Sequence, residues 1–216
     1  MTSPMRGGLR AVLFDWDGTL ADSAAASFRC YSRLFEAFGI SFDQERFEKT
    51  YSPNWYRTYA AVGLPEDRWA EADTLWLKHY ALDKSCLVSG AKEALTRVRD
   101  AGLVLGLVTS GSRERIARDL TSMEVSGLFR TVVCGEDTQR PKPHPDALVL
   151  ALGRLGVDGR QAAYVGDSPE DIEMARAAGV YAVGIPGGFP NREALRLARP
   201  DLLATSLDDA LDALLS

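Results

Sequence analysis

From Ser89 to the C-terminus, short apolar runs alternate with amphipathic segments, and few folds accept that order. Leu103–Val108, Thr131–Cys134, Ala162–Val165 and Val180–Ile185 are short, apolar runs, mostly rich in β-branched residues, and each reads as a strand. Helical patterns separate them. Ser89–Ala101 turns Ala94, Leu95 and Val98 inward and stops at Gly102, and Ser112 to about Glu124 carries Ile116, Leu120 and Met123 on one side. Pro145–Leu155 stops at Gly156, and Pro169–Ala178 stops at Gly179. Two further helices are expected near Asn191–Ala198 and Leu207–Leu215. Strands that alternate with helices imply a parallel sheet covered by helices on both faces. The first strand of that sheet comes much earlier, at Ala11–Phe14.

The stretch between this first strand and the alternating region is of another kind. Residues 22 to 86 read as all-helical, with no strand candidate. Ser23 is a plausible helix N-cap, and Phe28, Tyr31, Phe35 and Phe38 recur at three- and four-residue steps up to Gly39. Phe42 and Phe47 fall in a shorter helical piece, residues 51–59 form an aromatic-rich break, and Pro65 opens a helix with Trp69, Ala72, Trp76 and Tyr80 on one face. The division is therefore an α/β core of residues 1–21 and 87–216 and a helical insertion, residues 22–86. The insertion hangs from the carboxyl end of the first strand, so it forms a lid over whatever lies there.

Two carboxylates lie there. Asp15 and Asp17 follow Phe14 directly, and residues two apart in extended backbone point to the same side. Such acids repel unless a cation or a shared proton relieves them, although a solvated strand end before a turn is the plain alternative. Gly18 lets the chain turn away. The next strand ends in Thr109-Ser110-Gly111-Ser112, whose small residues and helix N-terminus suit an anion such as phosphate; ordinary capping by Ser112 is compatible with this. After the third strand, prolines 141, 143 and 145 frame Lys142 and His144. Lys142 is either a presented point charge or a solvated lysine, and His144 reads as structural. Asp167 ends the fourth strand with Asp171 one helical turn on, a pattern that resembles a hard-cation site such as Mg²⁺. Asp171 also reads simply as a first-turn acid that complements a helix dipole.

The 216 residues, 46% hydrophobic and 25% charged, are those of a soluble globular chain. A net charge of −5 with no basic cluster argues against nucleic acid as a partner, and no run is long enough to span a membrane. Residues 1–10 have no signal-peptide character. Cys30, Cys86 and Cys134 are scattered and form no Cys-x-x-Cys pair, so a reducing cytoplasm is the expected compartment.

In order along the chain, Asp15 and Asp17, then Thr109, Lys142 and Gly166-Asp167 through Asp171 resemble the four motifs of the haloacid dehalogenase superfamily. The likeness runs from about Leu9 to the C-terminus; in the helical block only position and length match. It implies a Rossmann-like core with a helical cap of the phosphoglycolate phosphatase and β-phosphoglucomutase type. Lys142 to Asp146 and Gly166-Asp167-Ser168 look most like the phosphoglycolate phosphatases. By resemblance, Asp15 attacks phosphorus and forms an aspartyl phosphate, and Asp17 protonates the leaving alcohol and then activates water. Mg²⁺ is held by Asp15, Asp167 and the main-chain carbonyl of Asp17. Thr109, Ser110 and Lys142 hold the phosphate, and Asp171 supports the metal site.

The implied substrate is a small phosphorylated metabolite, phosphoglycolate-like or a sugar phosphate, and the implied protein is a monomer or homodimer. A phosphomutase and a non-catalytic binding module are the other readings. Asp17 speaks against carbon–halogen chemistry, and Lys49, the nearest cap lysine for a Schiff base, has nothing dry around it. Ser110 stands where asparagine is common, and Trp16 is bulky for its place. Lys49, Arg57 and Arg113 are candidates for binding a second anionic group of the substrate, and Tyr51, Trp55, Tyr56 and Tyr59 for an apolar wall.

Overall fold

A computed structural model describes residues 8–83 and 85–216. Residues 1–7 of the expected core segment, with most of the stretch read for a leader, lie outside the described residues, as does Lys84 near the end of the expected cap.

The chain runs through β1 (Ala11–Phe14), β2 (Ala21–Asp22), α1 (Ala24–Ala37), α2 (Gln44–Thr50), α3 (Trp55–Val62), α4 (Trp69–Tyr80), β3 (Cys86–Leu87) and α5 (Ala91–Asp100). It continues through β4 (Val104–Val108), α6 (Arg113–Ser122), β5 (Thr131–Val133), α7 (Asp146–Leu155), β6 (Ala162–Gly166), α8 (Pro169–Ala177), β7 (Tyr181–Gly184), α9 (Arg192–Leu197), β8 (Leu202–Leu203) and α10 (Leu207–Leu215).

Six strands form one parallel sheet in the order β5-β4-β1-β6-β7-β8. Every residue of β1 is buried, as expected of a strand covered on both faces. Alternation divides it: Val12 and Phe14 join one core layer with Leu95, Leu107 and Leu211, whereas Leu13 joins the other with Leu148, Ile172 and Leu195. The strand order reverses at β1, which pairs with β4 on one side and β6 on the other. Crevices at such switch points are where ligands bind in open α/β sheets. Register fixes what meets there. Phe14 lies beside Leu107 and Val165, so the residues just past β1, β4 and β6 are brought to one rim.

Helices α1 to α4 lie between β2 and β3 and have their own aromatic core, which includes Tyr31, Leu34, Phe35, Phe47 and Tyr59. Three expectations need correction. The block read as all-helical begins and ends in strand: β2 and β3 pair antiparallel, Ala21 with Leu87 and Asp22 with Cys86. Two residues a side are too few to leave a period in the sequence. The aromatic-rich break contains the start of α3, where the Asn54 side chain accepts from the Tyr56 amide at 3.2 Å and caps the helix. Ser23 precedes α1 but makes no capping bond, and its buried hydroxyl has no partner. A short sixth strand, β8, also closes the sheet edge beyond the five expected. No described helix is long and apolar enough to cross a membrane.

Candidate active site

Asp15 extends β1 by one residue, its amide donating to the Val165 carbonyl at 2.9 Å. Its buried carboxylate accepts from Lys142 Nζ at 2.6 Å. Lys142 reaches it from the proline-framed segment between β5 and α7. The same ammonium donates to Asp171 Oδ1 at 2.7 Å and to the Tyr164 hydroxyl at 2.8 Å, so its three protons are all engaged. Tyr164 in turn donates to the Val108 carbonyl at 2.8 Å. Lys142 is 8% exposed and is therefore not a solvated lysine. Burial works against its charge, but Asp15 and Asp171 outweigh that and raise its pKa.

Asp171 is a first-turn acid of α8, as one reading of the sequence has it. Its Oδ2 accepts from the Ser168 hydroxyl at 2.7 Å and the Ser168 amide at 3.1 Å, a capping box at the start of α8, while its Oδ1 holds Lys142. Both oxygens are thus occupied by protein donors. Asp167 differs: its buried Oδ2 has no hydrogen-bond partner. A carboxylate so placed needs a cation or a proton. Single oxygens of Asp15, Asp167 and Asp171 lie within 4.8 Å of one another. Gly18 (φ +83°) and Gly187 press their backbones against Asp167, and a Cβ on either would come within 2.2 Å of its Oδ2. Burial, reinforced by its acidic neighbours, pushes the Asp15 carboxyl up to about 7 against the pull of Lys142; the same causes raise Asp167 well above the usual carboxylate range. An all-oxygen donor set with one orphaned carboxylate oxygen fits a hard divalent cation such as Mg²⁺.

Asp17 turns the other way. Arg115, on α6, grips its carboxylate with two parallel bonds, Nη1 to Oδ1 at 3.0 Å and Nη2 to Oδ2 at 2.5 Å. Burial alone would raise this carboxyl, but the guanidinium outweighs it and holds Asp17 below the usual range. Arg115 is buried, lies 3.6 Å from Asp119, and sits 4.9 Å from the centroid of the Tyr80 ring on the cap. The sequence reading missed it. The signal was the Arg115/Asp119 spacing on the side of α6 that carries Ile116 and Leu120, which reads equally as a surface ion pair. Trp16, between the two acids, buries its ring in the core.

Thr109 and Ser110 lie at the end of β4, on the rim. The Thr109 hydroxyl accepts from the Gly111 amide at 3.0 Å. Ser112 makes no capping bond; its buried hydroxyl is unpartnered and faces the cavity. That cavity has a volume of about 410 Å³. Its floor includes Asp15, Asp17, Thr109, Ser110, Lys142 and Asp167, and its roof includes Tyr31, Tyr51, Trp55, Tyr59 and Trp76 from the cap with Phe189 from the core. Tyr51 stacks on Phe189 with ring centroids 4.6 Å apart, joining cap to core.

Three of the four expected wall residues therefore line the cavity, whereas Tyr56 lies beside a smaller adjoining pocket. None of the three cations expected to bind a second anionic group does. Lys49 is exposed and pairs with Glu45 at 2.5 Å, one helical turn away. Arg57 is exposed and lies 3.8 Å from Glu170, and Arg113 pairs with Asp137 at 2.5 Å. Each has a nearer acid to satisfy it outside the cavity. His144 lies 3.0 Å from Asp146, away from the cavity, as a structural residue should.

Residues 12–185 match the family model for haloacid dehalogenase-like hydrolases. The chain is 33% identical to the phosphoglycolate phosphatase of Salmonella paratyphi A, covering 95% of this chain and 92% of that protein. It is 32% identical, with the same coverage, to the phosphoglycolate phosphatase of Escherichia coli K12. Among solved structures, a haloacid dehalogenase-like family hydrolase from Streptococcus pneumoniae superposes with a TM-score of 0.83 at 23% identity, covering 95% of this chain and 98% of that one. CbbY from Rhodobacter sphaeroides, solved in complex with phosphate, gives 0.81 at 24% identity over 95% and 99%. At that level of identity the structural likeness speaks for the fold.

Proposed function

This chain belongs to the haloacid dehalogenase-like hydrolase family, as a phosphatase of the phosphoglycolate phosphatase-like group, and from that premise we propose how its own residues work. The reaction is Mg²⁺-dependent hydrolysis of a small phosphomonoester in the cytoplasm, with residues 22–86 as the cap that selects the alcohol. The observation that carries this reading is the Lys142 ammonium held between Asp15 and Asp171, beside the unpartnered oxygen of Asp167.

Asp15 is the nucleophile. One carboxylate oxygen forms a bond to phosphorus as the ester oxygen leaves, giving an aspartyl phosphate and an alkoxide that takes a proton from Asp17. Water then attacks phosphorus, Asp17 recovers a proton from it, and the Asp15–phosphate bond breaks to release inorganic phosphate. Asp17 starts this sequence ionised and paired with Arg115 through both oxygens. One oxygen therefore has to release Arg115 and take up a proton from solvent before it can protonate the leaving oxygen, while the other keeps the pair. Lys142 and the hydroxyl and amide groups of Thr109 and Ser110 hold the phosphoryl oxygens, because phosphoryl transfer depends chiefly on positioning and charge. Asp15, Asp167 and the main-chain carbonyl of Asp17 would hold Mg²⁺, which would supply positive charge against the phosphate. Asp171 anchors Lys142 and supports this site without offering a free oxygen.

Phosphate release by the purified protein from a panel of phosphorylated metabolites, with Mg²⁺ and with excess chelator, tests the proposal. Metal-dependent release that Asp15→Asn abolishes is expected; release that survives either treatment overturns it. Adding a hexose 1-phosphate and looking for the 6-phosphate separates hydrolysis from a mutase, which would return the phosphoryl group to sugar.

A further inference from the structure

The roof of the cavity is aromatic and its only charge, among the described lining residues, is negative. Tyr31, Tyr51, Trp55, Tyr59 and Trp76 supply rings. Asp73 supplies the charge, and three neutral groups bind it: Trp55 Nε1 at 3.0 Å, the Tyr56 hydroxyl at 2.9 Å and the Tyr59 hydroxyl at 3.2 Å. No cation faces it. Across the whole cavity, six carboxylates stand against two cations, Arg115 and Lys142. Neither is free for the alcohol side: Arg115 pairs with Asp17, and Lys142 pairs with Asp15 and Asp171 and, in the reaction proposed above, turns to the phosphoryl oxygens. A carboxylate or second phosphate on the alcohol side of a substrate would need an arginine fork or a free ammonium. Lys49, Arg57 and Arg113, the residues of the right charge, spend theirs outside.

We infer that the alcohol released by this enzyme is uncharged and carries an apolar, ring-sized face, and that the cap rejects alcohols bearing a carboxylate or a second phosphate. Rings pack well against aromatic walls, and a cavity of this size accommodates one. Hydroxyl groups on the alcohol are acceptable, since Ser27, Ser52 and the unpartnered Ser112 offer neutral partners. A like charge brought toward Asp73 in a partly dry chamber is repelled. The inference rests on the phosphatase reading above and narrows it: the relatives named for phosphoglycolate act on an alcohol with a carboxylate, and this roof is built for a different one.

The test compares kcat/KM, with Mg²⁺, for benzyl phosphate, 2-hydroxyethyl phosphate and phosphoglycolate. Benzyl and hydroxyethyl alcohols leave with similar ease, and hydroxyethyl phosphate matches phosphoglycolate in size without its carboxylate. The expected order is benzyl, hydroxyethyl, phosphoglycolate, with at least about tenfold between first and last from repulsion and lost ring packing. Asp73→Asn should narrow the gap between the last two by about fivefold, through the KM for phosphoglycolate, because it removes the repelling charge. Phosphoglycolate as the preferred substrate of the wild-type protein overturns the inference and leaves the phosphatase reading standing. No metal-dependent release from any of the three, nor from a general chromogenic ester, removes the reading beneath it. The wild-type comparison decides the matter even where Asp73→Asn fails to fold.

Discussion

Replacing Lys142 by Met keeps most of the side-chain volume and removes the charge that bridges Asp15 and Asp171 at 2.6 and 2.7 Å. The three carboxylates Asp15, Asp167 and Asp171, with oxygens within 4.8 Å of each other, then face one another without a protein cation. Breaking a buried ion pair by removing one partner costs about 3–5 kcal/mol. For a chain of this size each kcal/mol lowers Tm by about 2–4 °C, so metal-free Lys142→Met should melt roughly 6–20 °C below the wild type. The loss is partly relieved by protonation, because Asp15, pushed up to about 7 even with Lys142 beside it, rises further without that charge and takes a proton more readily. Mg²⁺ should recover more stability in the variant than in the wild type, since it meets three uncompensated acids; at a hundredfold excess over Kd, binding contributes about 2.7 kcal/mol. Thermal melts of both proteins in excess chelator and in saturating Mg²⁺ measure this. Phosphate release should fall about 10²–10³-fold with the metal present, as when one preorganised donor to a developing charge is lost. A chelated variant that melts within about 2 °C of the wild type, with no larger response to Mg²⁺, would show that the ammonium is not what makes this cluster tolerable.

Other substitutions probe separate parts of the site. Asp15→Asn should lower phosphate release at least about a thousandfold in a steady-state assay, since no other group can take over the nucleophile's bond to phosphorus. A Cβ added by Gly187→Ala would fall 2.2 Å from Asp167 Oδ2 and so forces that carboxylate to shift, and Mg²⁺ titrations of activity should show apparent affinity weakened about 10–100-fold. The metal-free protein should lose stability as pH rises from about 4 to about 7, because the folded state there holds a proton on Asp15 that the unfolded chain, at its ordinary 3.8, has released. Mg²⁺ should flatten that slope by favouring the charged form, and denaturant melts across the range would show it. Asp17 acts in a separate window: its lowered pKa stabilises the fold above its ordinary 3.8, and that contribution is lost only at lower pH.

The strand ends were readable because each chemical residue follows an apolar run directly, and the run fixes its place. Asp15 needs only β1, and Asp167 only β6, to be put on the same rim. Arg115 was not readable in this way. It sits on a helix, where the direction of one long side chain depends on the packing of the whole face. The expected substrate-binding cations failed for the opposite reason: Lys49, Arg57 and Arg113 have suitable charge, but each has an acid within 4 Å that draws it outward. Asp73 gave no signal because its partners, Trp55, Tyr56 and Tyr59, lie on the neighbouring helix and read as an apolar wall, not as hydrogen-bond donors. The start of α3 was hidden by the same aromatics, whose crowding resembles a loop when no partner helix is in view.

The two-residue ribbon of β2 and β3 has a consequence for how such a protein changes over generations. The chain leaves and re-enters the sheet domain through adjacent, mutually bonded residues, Ala21 with Leu87 and Asp22 with Cys86. Everything between them is covalently joined to the sheet domain at this one place and otherwise only packs against it, as Tyr51 does on Phe189. Recombination at those two points could exchange the whole aromatic chamber for another, and so redirect the protein to a new alcohol, without moving any atom that handles phosphorus.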